Sequence, residues 1–201
     1  MRPLLIQLLL TLGLALSSGA ALAKVDVQAG MHKTLGMMLV VKISEDIVPG
    51  DYEALLRGIR QHPGKYQKKI AMLDSIGGNV TEAMKLGRLL RETGFETLVP
   101  STGVCQGSCV YVLVAGVKKS VRGHVGLHKP YYAGSDSIHS VSRSNDPRYS
   151  ATTYFREMGM PMGLLELMLS TQPNRMRVLT RDELVRYKLT PETLPAVKPK
   201  A

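Results

Sequence analysis

Residues 103–116, GVCQGSCVYVLVAG, contain both cysteines of the chain and a serine between them. Gly107 permits a tight bend, and the apolar run that follows at 110–115 predicts a buried helix. Ser108 would lie at the mouth of this helix, where the positive end of the helix dipole favours an alkoxide. The segment has three interpretations: a nucleophile turn, a disulfide-closed turn, or the start of a buried helix.

A serine nucleophile needs a base that can take its proton. The best candidate is His128, a polar residue that ends the apolar run of VGLHKP at 125–130. A helix-capping Ser108 and a surface His128 are the alternatives with no catalytic role.

The stretch LDSIGGNV at 73–80 could supply an oxyanion hole. A strand that ends in Gly77-Gly78 and opens a helix exposes backbone N–H groups, and glycine lets a ligand carbonyl approach them closely. A plain strand-to-helix turn explains the same pattern.

The N-terminus predicts a secretory signal peptide at 1–23. Arg2 precedes an apolar run at 4–16, and Ala21-Leu22-Ala23 is a typical cleavage sequence. A membrane span needs roughly 20 apolar residues, so no stable span is expected after cleavage. The mature chain should begin at Lys24 in the periplasm or outside the cell.

The net charge of +10 first suggests a nucleic-acid partner. The basic residues are scattered, however, and few aromatic side chains lie among them. An exported protein also meets no nucleic acid routinely, so we expect a solvated basic surface that favours anionic envelope components. No cofactor is expected.

Alternating strand and helix patterns predict one α/β domain at 24–189, followed by a flexible tail at 190–201. A long loop is predicted at 129–147, and loops of this length are either functional or disordered. The part that begins at Tyr131-Tyr132 is the candidate lid or partner surface, because it borders His128. Asp51 is the predicted N-cap of the first helix. The predicted strands are 36–44, 69–73, 96–100, 119–122 and 124–128. The predicted helices are 52–61, 80–93, 110–115, 149–158, 162–169 and a short one opened by the capping-box pattern at 180–183.

The order of these motifs resembles the Clp-protease/crotonase superfamily, and within it the exported Clp-protease-like proteins of bacteria. The matching text is LDSIGGNVTEAMKLGRLLRETGFETLVP, CQGSCVYVLVAG and GLHKPYY. The resemblance covers residues 39–189 and implies a spiral of strand-strand-helix units, with assembly into homo-oligomers. It also implies that the Gly77-Gly78 amides bind the oxyanion and that His128 is the base.

Two catalytic positions depart from the peptidase pattern. Counted back from Ala115-Gly116, the family nucleophile falls on Gly107, and Ser108 occupies the next position, roughly 100° further round a helix. The triad acid is also missing, and Asn174 is the nearest residue able to orient an imidazole.

The cysteines fit a short disulfide only if Cys105 lies before the helix, because residues four apart in a helix hold their Cβ atoms about 5–6 Å apart. The resemblance places Cys105 in that bend, and an oxidising compartment favours the Cys105–Cys109 bond. Free buried thiols, a cysteine nucleophile paired with His128 and a metal site with His124 are the alternatives. The last lacks the usual ligand spacing, so no metal site is expected.

Two functions remain open. The first is a non-catalytic descendant that keeps the cleft and binds a peptide or an envelope protein. The second is an active serine hydrolase that uses Ser108 and His128 on envelope peptides. An acyl-CoA activity of the crotonase type is a distant third, because an exported protein meets little CoA.

Overall fold

The computed structural model describes residues 25–129 and 150–193, which form a mixed α/β fold with one eight-stranded sheet and six helices. The strands are β1 (Val25–His32), β2 (Gly36–Ile47), β3 (Lys68–Gly78), β4 (Glu96–Val99), β5 (Val104–Gln106), β6 (Lys119–Val121), β7 (His124–Leu127) and β8 (Arg177–Val178). The helices are α1 (Asp51–Gln61), α2 (Val80–Glu92), α3 (Cys109–Ala115), α4 (Ala151–Glu157), α5 (Met162–Ser170) and α6 (Arg181–Arg186).

The sheet branches at β3. Strands β2, β3, β5 and β7 are parallel neighbours in that order, and β1 and β8 pair antiparallel at the two ends. Residues 70–72 of β3 pair with β4, which pairs with β6, whereas Ser75 further along β3 pairs with Cys105 of β5. One branch therefore lies beside the first half of β3, and the other lies beside its carboxyl end.

Helix α3 lies at the centre of the core, with every residue from Cys109 to Ala115 buried. Helix α2 packs against it through small and aliphatic residues, as its helical apolar spacing predicted. Helix α4 adds two buried aromatic residues, Tyr154 and Phe155. Their ring centroids lie 5.7 and 5.6 Å from that of Tyr111. This packing makes α3 a fixed platform for the turn that precedes it.

The predicted elements overlap the observed ones, but β1, β5 and β8 were not predicted. Strand β1 has an alternating pattern, with apolar residues at 25, 27, 29 and 31, and this signal was missed in the sequence analysis. Strands β5 and β8 have three and two residues, and such short segments become strands only because the neighbouring β3 and β7 bond to them.

The structure corrects two local predictions. The N-cap of α1 is Gly50, at φ 103°, and the carboxylate of Asp51 instead accepts the N–H of Val48 at 2.9 Å. The first amides of α1 are bound by a distant acid, Glu82, whose Oε1 accepts from Gly50 and Tyr52 at 3.0 and 2.8 Å. Strand β3 also extends beyond its predicted end, because its register with β2 shifts at Ile76, which has no partner in β2, and pairing then continues to Gly78.

The packed part of the chain continues beyond residue 189. Thr190 is buried and its Oγ1 accepts the N–H of Val121 at 3.2 Å, while Arg181 donates to the carbonyls of Pro191 and Glu192. The predicted signal peptide, nearly all of the 129–147 loop with Tyr131-Tyr132, and residues 194–201 lie outside the described residues. Within 25–129 and 150–193, no helix is both long and apolar enough to cross a membrane.

Candidate active-site cleft

Three separate segments meet at the carboxyl ends of β3, β5 and β7. Pairing of Ser75 with Cys105, and of Gln106 with Gly126, brings the ends of these parallel strands to one edge. The N–H of Gly107 then donates to the carbonyl of Gly126 at 3.1 Å, which carries the pairing into the turn. The glycine pair, the Gly107-Ser108 turn and His128 are therefore neighbours, as the motif order suggested.

The glycine pair has a conformation and a spacing that exclude other residues. Gly77 and Gly78 have φ values of +98° and +133°. A Cβ atom on Gly77 would lie 2.8 Å from the N atom of Ser108, and one on Gly78 would lie 2.3 Å from the carbonyl oxygen of Ile47. Asn79 then caps α2 by accepting the N–H of Glu82 at 2.9 Å. The two glycines thus allow the end of β3 to pack closely against the Gly107-Ser108 turn on one side and against Ile47 on the other.

The amide of Gly77 is already bound within the protein. Its N–H donates to Oγ of Ser75 at 3.1 Å, and this hydroxyl donates to the carbonyl of Glu45 at 2.5 Å. Ser75 is fully buried. An oxyanion donor must point at the reacting oxygen, so Gly77 does not offer that group in this arrangement.

Gly107 lies directly against the imidazole. It has φ +52°, in the left-handed region, and a Cβ atom built on it would lie 2.7 Å from Nε2 of His128 and 3.6 Å from the carbonyl oxygen of Ile76. A side chain at residue 107 would thus point at the imidazole and at the strand end that carries the glycine pair. Glycine has no group that can react there.

Ser108 is buried next to the glycine pair. It is 4% exposed, its Oγ would lie 3.3 Å from a Cβ atom on Gly77, and Oγ has no hydrogen-bond partner among the described residues. The described atoms therefore include no hydrogen bond between Ser108 and His128. As the N-cap of α3, Ser108 also makes no side-chain cap bond, so the capping alternative does not hold either.

His128 is half-buried, and its Nδ1 lies 3.0 Å from the carbonyl oxygen of Lys129. A carbonyl can only accept, so this contact favours the tautomer with the proton on Nδ1. In a neutral ring with this tautomer, Nε2, the nitrogen nearer to residue 107, carries no proton. A neutral His128 would thus have the tautomer that a general base needs, with a backbone carbonyl beside Nδ1.

Asn174 does not orient the imidazole. It lies in an exposed turn between α5 and β8 and makes no hydrogen bond to His128. The residues of this segment that reach the sheet are Met176, whose Sδ lies next to Gly126, and Arg177 and Val178, which pair with Leu127 and Gly126. The contact of Nδ1 with the Lys129 carbonyl had no sequence signal, because any residue supplies a backbone oxygen. The buried Ser75 does have one, since it is a polar residue within an apolar strand.

Cys105 and Cys109 form a disulfide, with a Cα–Cα distance of 5.3 Å and with both residues fully buried. Cys105 lies in β5, before the helix, and Cys109 is the first residue of α3. The bond spans the Gly107-Ser108 turn and fixes its two ends. A cysteine nucleophile is excluded in this oxidised state, and the described residues contain no group of metal-binding side chains.

Comparisons with known proteins give no further assignment. No family model matches the chain, and no curated protein matches it significantly.

Proposed function

We propose that this chain is an exported member of the Clp-protease/crotonase superfamily whose cleft binds extended peptide segments of envelope proteins without hydrolysing them. The proposal is supported by the order of the three motifs and by their meeting at one edge of a mixed α/β sheet. The strand-strand-helix spiral, export and self-association are part of the same proposal.

The observation that carries the proposal is the position of Gly107. A Cβ atom there would lie within 3 Å of Nε2 of His128, so residue 107 is the position from which a nucleophile would reach the base. This chain has glycine at that point, and it retains an imidazole whose tautomer suits proton transfer. The cleft thus keeps the base without the hydroxyl.

The alternative function is hydrolysis through Ser108. It requires Oγ of Ser108 to come within about 3.2 Å of Nε2 of His128, directly or through one water. Oγ is instead enclosed beside Gly77 with no partner, and the Gly77 amide is bound to Ser75. The attacking group and one of the two predicted oxyanion donors, the Gly77 amide, would have to rearrange, which favours binding over catalysis.

The cleft keeps features that suit peptide binding. The imidazole of His128 lies in the cleft, and Ile76 beside the glycine pair is 56% exposed. An apolar side chain next to a polar ring suits an extended peptide, which presents polar backbone groups and side chains in alternation.

The decisive experiment is labelling with a fluorophosphonate probe, which reacts with activated serines. We expect no labelling of the wild-type mature protein or of Ser108→Ala. We expect labelling to appear in Gly107→Ser and to disappear in Gly107→Ser/His128→Ala. Serine in the left-handed region costs about 1–2 kcal/mol, which a folded domain can tolerate. Labelling of the wild type that Ser108→Ala abolishes would refute the proposal and establish the alternative.

Peptide binding is tested separately, by fluorescence anisotropy with a pool of labelled, unstructured peptides. Ile76→Asp should weaken binding of the peptide pool. The matched change Val117→Asp, at another exposed apolar residue, should leave binding unchanged. Equal loss in both variants would show that charge alone caused the effect.

Export is tested by N-terminal sequencing of the mature protein, whose first residue should be Lys24.

A further inference from the structure

Strand β1 forms one edge of the sheet, and among residues 25–129 and 150–193 it pairs only with β2. Helix α1 packs on one face of the strand near Val27, because a Cβ atom on Gly58 would meet the side chain of that valine. Residues 28–32 are exposed. The backbone N–H and C=O groups on the outer side of β1 are therefore available to a strand from another molecule.

Strand β1 lacks the features that protect an edge from such pairing. Edge strands are commonly very short, or they contain lysine, proline or a β-bulge. Strand β1 has eight residues, VDVQAGMH, which include neither lysine nor proline, and its register with β2 is unbroken from Val25 to His32. This edge is a regular template for a further strand.

The apolar face of β1 is complementary to a second copy of itself. Opposite residues of an antiparallel pair share a face, so a two-fold symmetric pair must match odd with odd numbers and even with even numbers. With Ala29 on the two-fold axis, Val27 faces Met31 of the partner subunit, and this contact occurs twice. Met31 is 75% exposed, more than any other large apolar side chain of the described residues. The pairing would cover both methionines.

The polar face is complementary in the same register, because Asp26 then faces His32 of the partner subunit. Nδ1 of His32 lies 3.3 Å from the backbone N atoms of Thr34 and Leu35. An amide N–H can only donate, so Nδ1 accepts, and the proton of the neutral ring lies on Nε2. The described residues contain no acceptor for this proton. The His32 side chain thus has a donor that is directed by its own turn and lacks a partner.

The Asp26 carboxylate can supply the missing acceptor. It accepts from Nε2 of Gln28 at 2.6 Å, which leaves further lone pairs unused. Opposite residues of an antiparallel pair have Cβ atoms about 4.5–5.5 Å apart, a distance that a carboxylate and an imidazole can bridge. A pair centred on Gln28 or Gly30 would lose this match, since Asp26 would face Gly30 or Thr34.

We propose that two copies of this chain associate by antiparallel pairing of their β1 strands, with Ala29 on the two-fold axis, which joins the two sheets into one. The inference deepens one part of the proposed function, the self-association, and it does not depend on peptide binding or hydrolysis in the cleft. We expect a dissociation constant in the micromolar range, because one strand pair buries less than the roughly 1,600 Å² of a typical stable interface.

The first test places charges on the two-fold axis. Residue 29 is exposed, so Ala29→Lys and Ala29→Glu should fold like the wild type. In either variant alone, like charges face each other, and sedimentation velocity of the mature protein should show self-association weakened about tenfold or more. An equal mixture of the two variants should restore association, because lysine then faces glutamate.

The second test checks the register by disulfide cross-linking. Opposite Cα atoms in an antiparallel pair are about 4.5–5.5 Å apart, which a disulfide can bridge. Ala29→Cys should therefore form a covalent dimer under mild oxidation. The matched variant Gly30→Cys is equally exposed, and its Cβ would meet no atom within 4 Å, but residue 30 faces Gln28 of the partner subunit. It should form little covalent dimer.

The third test removes the hydrogen bond between Asp26 and the partner's His32. Asp26→Ala should weaken self-association about tenfold, because two hydrogen bonds are lost in each dimer. The matched variant Glu166→Ala removes an exposed acid from α5 and should leave self-association unchanged. Equal weakening by both variants would contradict the match between these two residues.

Two results would overturn the proposal as a whole. One is a mature protein that stays monomeric over about a hundredfold range of concentration around the expected dissociation constant. The other is self-association that Ala29→Lys does not change, or cross-linking through residue 30 and not through residue 29. The second result would leave self-association through another surface, so it separates this inference from the proposed function. Peptide binding in the cleft should be the same in Ala29→Lys as in the wild type.

Discussion

The packing of α4 on the core should be sensitive to a single methyl group on α2. A Cβ atom built on Gly87 would lie 1.8 Å from Oη of Tyr154, 3.0 Å from Cβ of Ala115 and 3.1 Å from the carbonyl oxygen of Tyr111. The Tyr154 hydroxyl donates to that Tyr111 carbonyl at 2.8 Å, in the buried core. Gly87→Ala must therefore displace the tyrosine and break its hydrogen bond.

The expected change in the free energy of unfolding of Gly87→Ala has three contributions. Alanine within a helix gains about 1 kcal/mol over glycine. Forced packing costs about 2 kcal/mol, and the lost hydrogen bond costs about 1 kcal/mol. We expect Gly87→Ala to lower the free energy of unfolding by about 2 kcal/mol. Urea denaturation followed by circular dichroism, with the slope m unchanged, measures this difference.

Two further variants test the cause. Tyr154→Phe alone should cost about 1 kcal/mol, but in its presence Gly87→Ala should become nearly neutral, because the oxygen that meets the new methyl group is gone. Gly163→Ala is the matched control, since its Cβ would meet only Cε1 of Tyr187, at an ordinary 3.6 Å. It should stabilise α5 by up to about 1 kcal/mol. A Gly87→Ala protein as stable as the wild type, or an unaltered effect in the Tyr154→Phe background, would refute this reasoning.

Three further sets of substitutions have outcomes that follow from the structure, and urea denaturation measures the change in the free energy of unfolding for each of them. Ser108→Ala should change the free energy of unfolding by less than about 0.5 kcal/mol, because its buried Oγ has no partner among the described residues. Ser75→Ala should lower it by about 1–3 kcal/mol, because two hydrogen bonds are lost. Equal changes in the two variants would contradict this difference in hydrogen bonding. Replacing Cys105 and Cys109 together by alanine should cost about 2 kcal/mol, the loop-entropy value for a separation of four residues, and no change under reducing conditions would argue against the bond. Glu82→Ala should cost about 3 kcal/mol, because its carboxylate binds two amides at the start of α1, and Glu82→Gln should recover part of this loss.

The candidate site shows which residues could be found before the structure. Gly77, Gly78, Ser108 and His128 stood out because glycine pairs and polar residues interrupt apolar runs. The resemblance to the Clp-protease/crotonase superfamily, counted back from Ala115-Gly116, also put the nucleophile position of that family on Gly107. Sequence spacing could not show which way Oγ of Ser108 points, since that depends on the left-handed φ of Gly107 and on the close approach of Gly77.

Asn174 illustrates the opposite case. It was chosen because an amide can orient an imidazole and because no acid was available nearby in the sequence. The antiparallel pairing of β8 with β7 instead brings Met176 and Val178 to the sheet and leaves Asn174 in an exposed turn. The register of a two-residue strand has no detectable pattern, because too few side chains alternate.

The sequence alone determined the α/β class, most of the helices and longer strands, and the identity of the residues that could react. These depend on local periodicity and on glycine and polar residues at the ends of apolar runs, which are properties of short segments. Only the tertiary structure decided that residue 107 faces His128, that the Gly77 amide is bound by Ser75 and that Glu82 caps a distant helix. Each of these contacts joins segments that are far apart in the chain, and their geometry is set by strand register and close packing.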